Sequence, residues 1–286
     1  KALVKKYNEI FQNTNSIPSS HYLEFRDPFV YSRFYSRELE LGEMPIGDKH
    51  PVRVETEFPF FGLETVSEIL SNNEKGLSSS KNNEIVFFQL NDELAVIAAS
   101  SLKSKKQIPN PVSFSLSDEL VNQYESITEE LFAFQKWVVN PFLIWDPKDS
   151  NSETGLQFFD YLVTYAKDQR SVEFSIQESE IPNVTHLLAE IRKRKIQNIA
   201  FSLQDTTLLG TRKLAFALKD SDFPIILTNI YENEEEALYQ SSVHFGGLLL
   251  DGIGDTIRIR LQEPNYESTL ILSYDILQAT RLRLTK

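Results

Sequence analysis

From Val52 onward, short runs rich in β-branched and aromatic residues alternate with stretches whose apolar residues recur at helical spacing. That alternation is the signature of repeated βα units and a mainly parallel sheet. The strand candidates are VRVETEF from Val52, ELAVIAAS from Glu93, VSFSL from Val112, FLIW from Phe142, VEFSI from Val172, NIAFSL from Asn198, PIILTN from Pro224 and GGLLL from Gly246. They amount to about eight units, as many as a closed βα barrel needs. Between them, Phe158, Leu162 and Tyr165 fall on one helical face, as do Val184, Leu187, Leu188 and Ile191, and later Leu270, Tyr274 and Leu277. Each such stripe is expected to lie against the sheet. The acids of YENEEEALYQ, from Tyr231, suit the start of a helix, and the basic cluster RKRK, Arg192 to Lys195, suits the end of one.

The first fifty residues keep no period. They are rich in aromatics, arginine, proline and turn formers, and are expected to form a linker or packing arm. The organisation expected is therefore an arm over residues 1–50 and an irregular TIM-like (β/α)8 barrel, fold class α/β, over 51–286. SNNEKGLSSSKNNE, Ser71 to Glu84, is expected to be a polar loop.

Composition narrows the chemistry. Hydrophobic residues make up 41% of the chain and charged residues 24%, ordinary for a soluble globular protein. The formal charge of -12 repels a phosphate backbone, so nucleic acid is not an expected partner. The mixture of aromatics and arginine from Phe25 to Arg37 is accordingly expected to be packing surface, and the KSKK cluster at Lys103 to Lys106 has no recognition motif around it. No apolar run has the length of a membrane span and no signal peptide pattern is present, so a cytosolic or organellar-matrix setting is the default. With no cysteine at all, the chain can hold neither a disulfide nor a thiolate-bound cluster by itself.

In a βα barrel the chemistry sits at the carboxyl ends of the strands. On the strand candidates above, three acids are expected there: Asp146 after FLIW, Asp205 after FSLQ and Asp251 after GLLL. Such a trio could serve as general acid and base or hold a magnesium ion, but acids at strand ends also cap the helices that follow, and capping is the favoured reading. Gly252, Gly254 and Asp255 resemble a fragment of a phosphate-binding turn, although Ile257 stands where a third glycine would be; a tight turn at the barrel rim is the simpler expectation. His21, His50, His186 and His244 are scattered, without metal-ligand spacing, and His244 is expected at the amino end of the last strand, the stability face.

The stretch GGLLLDGIGDTIRIRL, Gly246 to Leu261, read with the tail YDILQATRLRLTK and with RKLAFALKDSDFPIILTNI, Arg212 to Ile230, resembles the 4-hydroxy-3-methylbut-2-enyl diphosphate synthase family of isoprenoid biosynthesis. In that family a Gly-Leu-Leu run, an acid and Gly-Ile-Gly-Asp close a βα barrel, a helix ending in Arg-x-Arg follows, and a domain whose cysteines hold a 4Fe-4S cluster comes next. Arg281 and Arg283 match the Arg-x-Arg close. A long form of the family carries a second barrel between the catalytic barrel and the cluster domain, and the resemblance places this chain there. IGDKHPVRVE, Ile46 to Glu55, echoes the opening strand of the catalytic barrel but lacks its Gln-Ser-Met-Thr type of continuation, which tells against this being the substrate-binding barrel. Asp251 matches the acid that faces the chemistry in the catalytic barrel.

What the resemblance implies is an oxidoreductase parent, taking electrons from ferredoxin or flavodoxin through its cluster to open a cyclic diphosphate, cytoplasmic in bacteria and plastid-borne in plants. This chain would then carry no catalytic residue, cofactor or metal of its own, would have the catalytic barrel and cluster domain as partners, and would act as a structural spacer. In the short form two subunits of a dimer share the task; the insert would replace the second subunit's body. Two other readings stay open from sequence: an autonomous barrel enzyme acting on a phosphorylated or pterin-like small molecule through Asp146, Asp205 and Asp251, and a docking surface for the electron donor, which the chain's acidity opposes.

Overall fold

The computed structural model of the chain describes residues 33, 35–42, 44–58, 84–104, 108, 110–121, 124–149 and 152–283. Eight parallel strands in sequential order close into a barrel, with the last pairing back to the first through Arg53↔Thr256 and Val54↔Ile257. The strands are β1 (Arg53–Glu57), β2 (Ile85–Leu90), β3 (Val112–Leu116), β4 (Lys136–Val139), β5 (Ser171–Ile176), β6 (Ile199–Leu203), β7 (Ile225–Tyr231) and β8 (Thr256–Leu261). Helix α1 (Glu93–Ser104) follows β2, and the short α2 (Asp118–Val121) and α3 (Thr128–Leu131) follow β3. Then α4 (Glu153–Tyr165), α5 (Val184–Arg194), α6 (Leu208–Leu218), α7 (Glu234–Leu250) and α8 (Tyr266–Ala279) follow β4 to β8 in turn. Among the described residues no helix is long and apolar enough to cross a membrane.

Three strand expectations are corrected. ELAVIAAS is the start of α1: the Asp92 carboxylate accepts the Ala95 N–H at 2.8 Å, and Val96, Ala99 and Leu102 then bury one helical face. The strand that belongs there is IVFFQL, directly after the polar 71–84 segment, which lies outside the described residues up to position 83. FLIW begins in a 3-10 turn, because Pro141 opens it and the Asn140 side chain accepts the Phe142 N–H at 2.9 Å; the strand is the preceding KWVV. GGLLL is the last stretch of α7, which runs seventeen residues from its cap Asn233, and the closing strand is TIRIRL. All three errors have one cause. A short unbroken apolar run fits a strand and a buried helix equally well.

The helical stripes lie where their spacing places them. Phe158, Leu162 and Tyr165 of α4 are buried over β4, where Trp137 meets Phe158 and Tyr165 edge-on at 5.9 and 6.2 Å between ring centroids. Val184, Leu187, Leu188 and Ile191 of α5 and Leu270, Tyr274 and Leu277 of α8 are likewise buried. At the amino end of the barrel, residues 35–42 and 44–50 form a floor. An antiparallel bridge joins Leu39 to Ile46, and Leu39, Leu41 and Ile46 cluster with Ile85, Ala200 and Ile226 from the first turns of β2, β6 and β7. Backbone bonds from Arg37 N to Asp222 O (2.6 Å) and Gly42 N to Gln169 O (3.2 Å) hold that floor to the loops that lead into β7 and β5. His21 and the residues from Phe25 to 32 lie outside the described residues.

Candidate functional site

Successive residues of a strand point to opposite faces, so in a closed barrel packed by helices on the outside a polar residue at alternate strand positions enters the interior. Four charged side chains meet there: Glu55 of β1, Lys136 of β4, Glu173 of β5 and Arg258 of β8, the first three with no exposed surface and Arg258 with 2%. Lys136 Nζ donates to Glu55 Oε2 and to Glu173 Oε2, both at 2.7 Å. Arg258 donates from Nη1 to Glu55 Oε1 (3.1 Å) and Glu173 Oε2 (3.0 Å), and from Nη2 to Glu173 Oε1 (2.6 Å). Because β8 and β1 are neighbours, as are β4 and β5, the network spans the barrel from one side to the other.

Hydroxyls complete the coordination. Ser202 Oγ donates to Glu173 at 2.7 Å, Ser113 Oγ donates to Glu55, and Arg258 Nε donates to Thr228 Oγ1 at 3.1 Å. Two carboxylates and two cations sum to zero, the condition under which charges survive away from water. Burial by itself would push the Glu173 carboxyl up; the Arg258 guanidinium and the Lys136 ammonium overrule it and hold the pKa at about 2. Burial likewise opposes the charge on Arg258, and Glu173 and Glu55 more than reverse that.

One layer nearer the carboxyl end, Arg260 Nη2 and Nε reach the two Glu57 oxygens at 2.9 and 3.1 Å, and Arg260 also bonds Gln89. The guanidinium carbons of Arg258 and Arg260 lie 4.5 and 5.0 Å from the centre of the Phe87 ring. The rim is self-occupied too. Asn140 donates to Glu180 at 3.1 Å, Lys213 to Glu178 at 2.7 Å, and Asn229 both accepts from and donates to the Thr206 backbone. These polar groups at the mouth tie loops together.

The three acids singled out from sequence do not converge. Asp205 follows β6 at the carboxyl end and is exposed, whereas Asp146 lies seven positions beyond Val139, where its carboxylate accepts the Lys148 N–H at 2.8 Å in a local turn. Asp251 is at the opposite end of the barrel. It is the C-cap of α7, paired with Arg212 of α6 (Nε–Oδ2 2.8 Å), because the run before it is helix and the strand begins only at Thr256. The expectation that it ends a strand is corrected.

The Gly252–Asp255 turn goes with it to the amino end. Ile253 N bonds Leu248 O at 2.8 Å and Gly252 N bonds Leu249 O at 2.9 Å, the paired bonds that close a helix over a residue in left-handed conformation, here Gly252 at φ 75°. Gly254 has φ 113°, and a Cβ there would stand 2.7 Å from Leu227 Cδ1. Asp255 is buried: its side chain accepts the Ile225 N–H at 3.0 Å and its carbonyl accepts the Arg53 N–H at 3.0 Å, so it joins the starts of β7, β8 and β1. Burial raises its pKa, against the pull of the Ile225 N–H and of Arg33, 3.6 Å away. The N–H groups a phosphate would need at Gly252 and Ile253 are already committed to the helix.

His244 lies within α7 rather than before the last strand, and burial lowers its pKa against the hydrogen bond it donates to the Thr206 backbone. His50 meets Glu38 at 2.9 Å in the floor segment, and His186 is exposed on α5. No grouping of three or more His, Asp or Glu able to share a metal ion occurs among the described residues, and the chain has no cysteine. Its donor set therefore does not fit a 4Fe-4S cluster.

Sequence reasoning missed Glu55, Lys136, Glu173 and Arg258. The signal was present as charges at alternate positions of otherwise β-rich runs, RVETE, SVEFSI and TIRIRL.

No family model matches the chain. Its fold is that of solved βα barrels: the crystal structure of N-acetylneuraminic acid (sialic acid) synthetase from Leptospira borgpetersenii serovar Hardjo-bovis superposes with a TM-score of 0.55 at 12% identity, covering 89% of this chain and 94% of that one. Similarity in sequence is far more specific. The 4-hydroxy-3-methylbut-2-en-1-yl diphosphate synthase (flavodoxin) of Leptospira interrogans is 35% identical over 296 aligned residues, which take in 100% of this chain and 42% of that protein. The enzyme of the same name from Chlorobaculum tepidum is 27% identical over 315, covering 100% of this chain and 40% of its own length. The chain thus spans about two fifths of the curated relatives it matches, and the resemblance seen in its last quarter extends along its whole length: this is a barrel related to a part of the 4-hydroxy-3-methylbut-2-en-1-yl diphosphate synthase (flavodoxin) family.

Proposed function

We propose that this chain is a non-catalytic barrel set between the catalytic barrel and the 4Fe-4S domain of a long-form 4-hydroxy-3-methylbut-2-enyl diphosphate synthase, where it holds the two at a working separation. The parent's reaction is the reductive opening of a cyclic diphosphate, with electrons from a flavodoxin-type donor or ferredoxin. The observation that carries the reading is the closed charge network of Glu55, Lys136, Glu173 and Arg258, which fills the barrel with groups that answer one another. An active barrel would need some of those groups to face a substrate. The absence of thiolate ligands from the sequence supports the same reading, since the cluster must then be held by another part of the protein.

A rigid body does what a loose tether cannot. It confines two domains to a narrow range of distances, so that their effective concentration at the productive geometry is high; a flexible chain spreads them over many geometries. The test is to replace the domain by a flexible linker in the full-length synthase and measure turnover with a chemical or flavodoxin reductant. Loss of turnover with the cluster still loaded is expected; undiminished turnover would overturn the proposal.

A further inference from the structure

Helix α7 is apolar on two opposite sides. Ala237, Ser241, Phe245, Leu248 and Leu249 face the barrel and are buried. Tyr239, Val243, Gly246 and Leu250 follow one another at spacings of four, three and four residues, which puts them in one line on the other side. The three side chains in that line are 64%, 61% and 59% exposed. Gly246 is itself buried, yet a Cβ added there would meet nothing within 4 Å, so the middle of the stripe has room for one. From Leu238 to Leu250 the helix has no Asp, Glu, Lys or Arg, in a chain that is 24% charged. An exposed apolar stripe flanked by polar residues, here Gln240 and Ser242, marks a contact surface.

We infer that the outer face of α7 is the seat of another part of the same long polypeptide, a surface of matching apolar character contributed by the portion of the synthase outside these 286 residues. The inference rests on the spacer reading and names the face through which the spacer acts. Two properties select this occupant over a second copy. The exposed apolar surface of the stripe with Leu238 is on the order of 400 Å², about half of what each partner brings to a stable association of separate molecules. Two copies would each also bring a formal charge of -12 to the contact. A domain on the same chain needs far less surface, because tethering raises its effective concentration to the millimolar range or so. The relatives supply the candidate: 58 to 60% of their length lies outside the part this chain matches (100 - 42 and 100 - 40).

The test uses the full-length synthase with Tyr239→p-benzoylphenylalanine, irradiated and mapped by mass spectrometry. Cross-links to peptides outside the 286 residues, within one polypeptide, are expected. Val243→Asp in the same protein should lower their yield at least tenfold while leaving the thermal transition of the barrel in place, and the conservative Val243→Ile should retain it. Cross-links between two copies would overturn the inference, as would the absence of any protein cross-link. The two proposals fail separately. If no cross-link forms but the flexible-linker replacement still abolishes turnover, the domain is a spacer acting through another face; if cross-links form and the replacement keeps turnover, the contact stands and the spacer reading falls.

Discussion

Lys136 Nζ lies 2.7 Å from Glu173 Oε2 in the middle of the barrel, and neither side chain has any surface exposed to solvent. An ion pair so placed is weak support for stability in itself, since removing both charges from water costs several kcal/mol each, but it is unforgiving of losing one member. Lys136→Met should cost about 3–5 kcal/mol in urea unfolding, because Glu173 and Glu55 are then left with Arg258 alone. Adding Glu55→Gln to Lys136→Met restores neutrality, so the double variant should lose less than the two single losses together. Additive losses would mean that the four groups do not act as one network.

The same network sets a pH dependence. The Glu173 pKa is depressed to about 2 in the fold, so its contribution to stability is fully present above its unfolded value near 4.5 and declines as pH falls from there through about 2. Carbon-detected NMR of the Glu173 carboxyl should show it still ionised at pH 3.5. A midpoint at or above the ordinary glutamate value would contradict the geometry.

Two glycines ten residues or fewer apart should respond in opposite directions. Gly254→Ala combines a left-handed φ of 113° with a methyl 2.7 Å from Leu227 Cδ1, and should destabilise by roughly 1–3 kcal/mol. Gly246→Ala is inside a helix with open space around it, and should stabilise the isolated barrel by about 0.5–1 kcal/mol. Thermal unfolding of the purified chain measures both.

Leu41 is fully buried in the floor with Leu39, Ile46, Ile85, Ala200 and Ile226. Leu41→Ala should cost about 2–5 kcal/mol, the range for a large-to-small change in a core, if residues 35–42 and 44–50 are an integral part of the barrel. A loss under 0.5 kcal/mol in denaturant titration would make them a detachable arm.

Asp251 and Arg212 are each about one-third exposed, so their pair should contribute at most about 1 kcal/mol. Titration calorimetry of the chain with inorganic pyrophosphate should give no heat that depends on Asp251 or on the Gly252–Asp255 turn. Saturable binding lost in Asp251→Asn would revive that turn as an anion site.

The alternation of β-rich and helical stretches determined the architecture, because a parallel βα unit needs both periods and little else, and the stripes on α4, α5 and α8 are where their spacing put them. Even there the local reading was degenerate. ELAVIAAS, FLIW and GGLLL satisfy strand and helix alike, and the decision came from Asp92, Pro141 and the cap at Asn233, whose hydrogen bonds fix where each helix starts. That shift of one element carried Asp251, Gly252 and Gly254 from the expected rim to the opposite end.

The charges inside β1, β5 and β8 were visible as alternation, and their partners were not. Glu55 and Arg258 stand 203 positions apart, and Lys136 and Glu55 81, so no local pattern links them. The sequence determined that these strands would turn polar groups inward. Only closure of the barrel decided that they would neutralise each other, because complementarity among buried charges is a property of positions in space, which the order of residues along the chain does not contain.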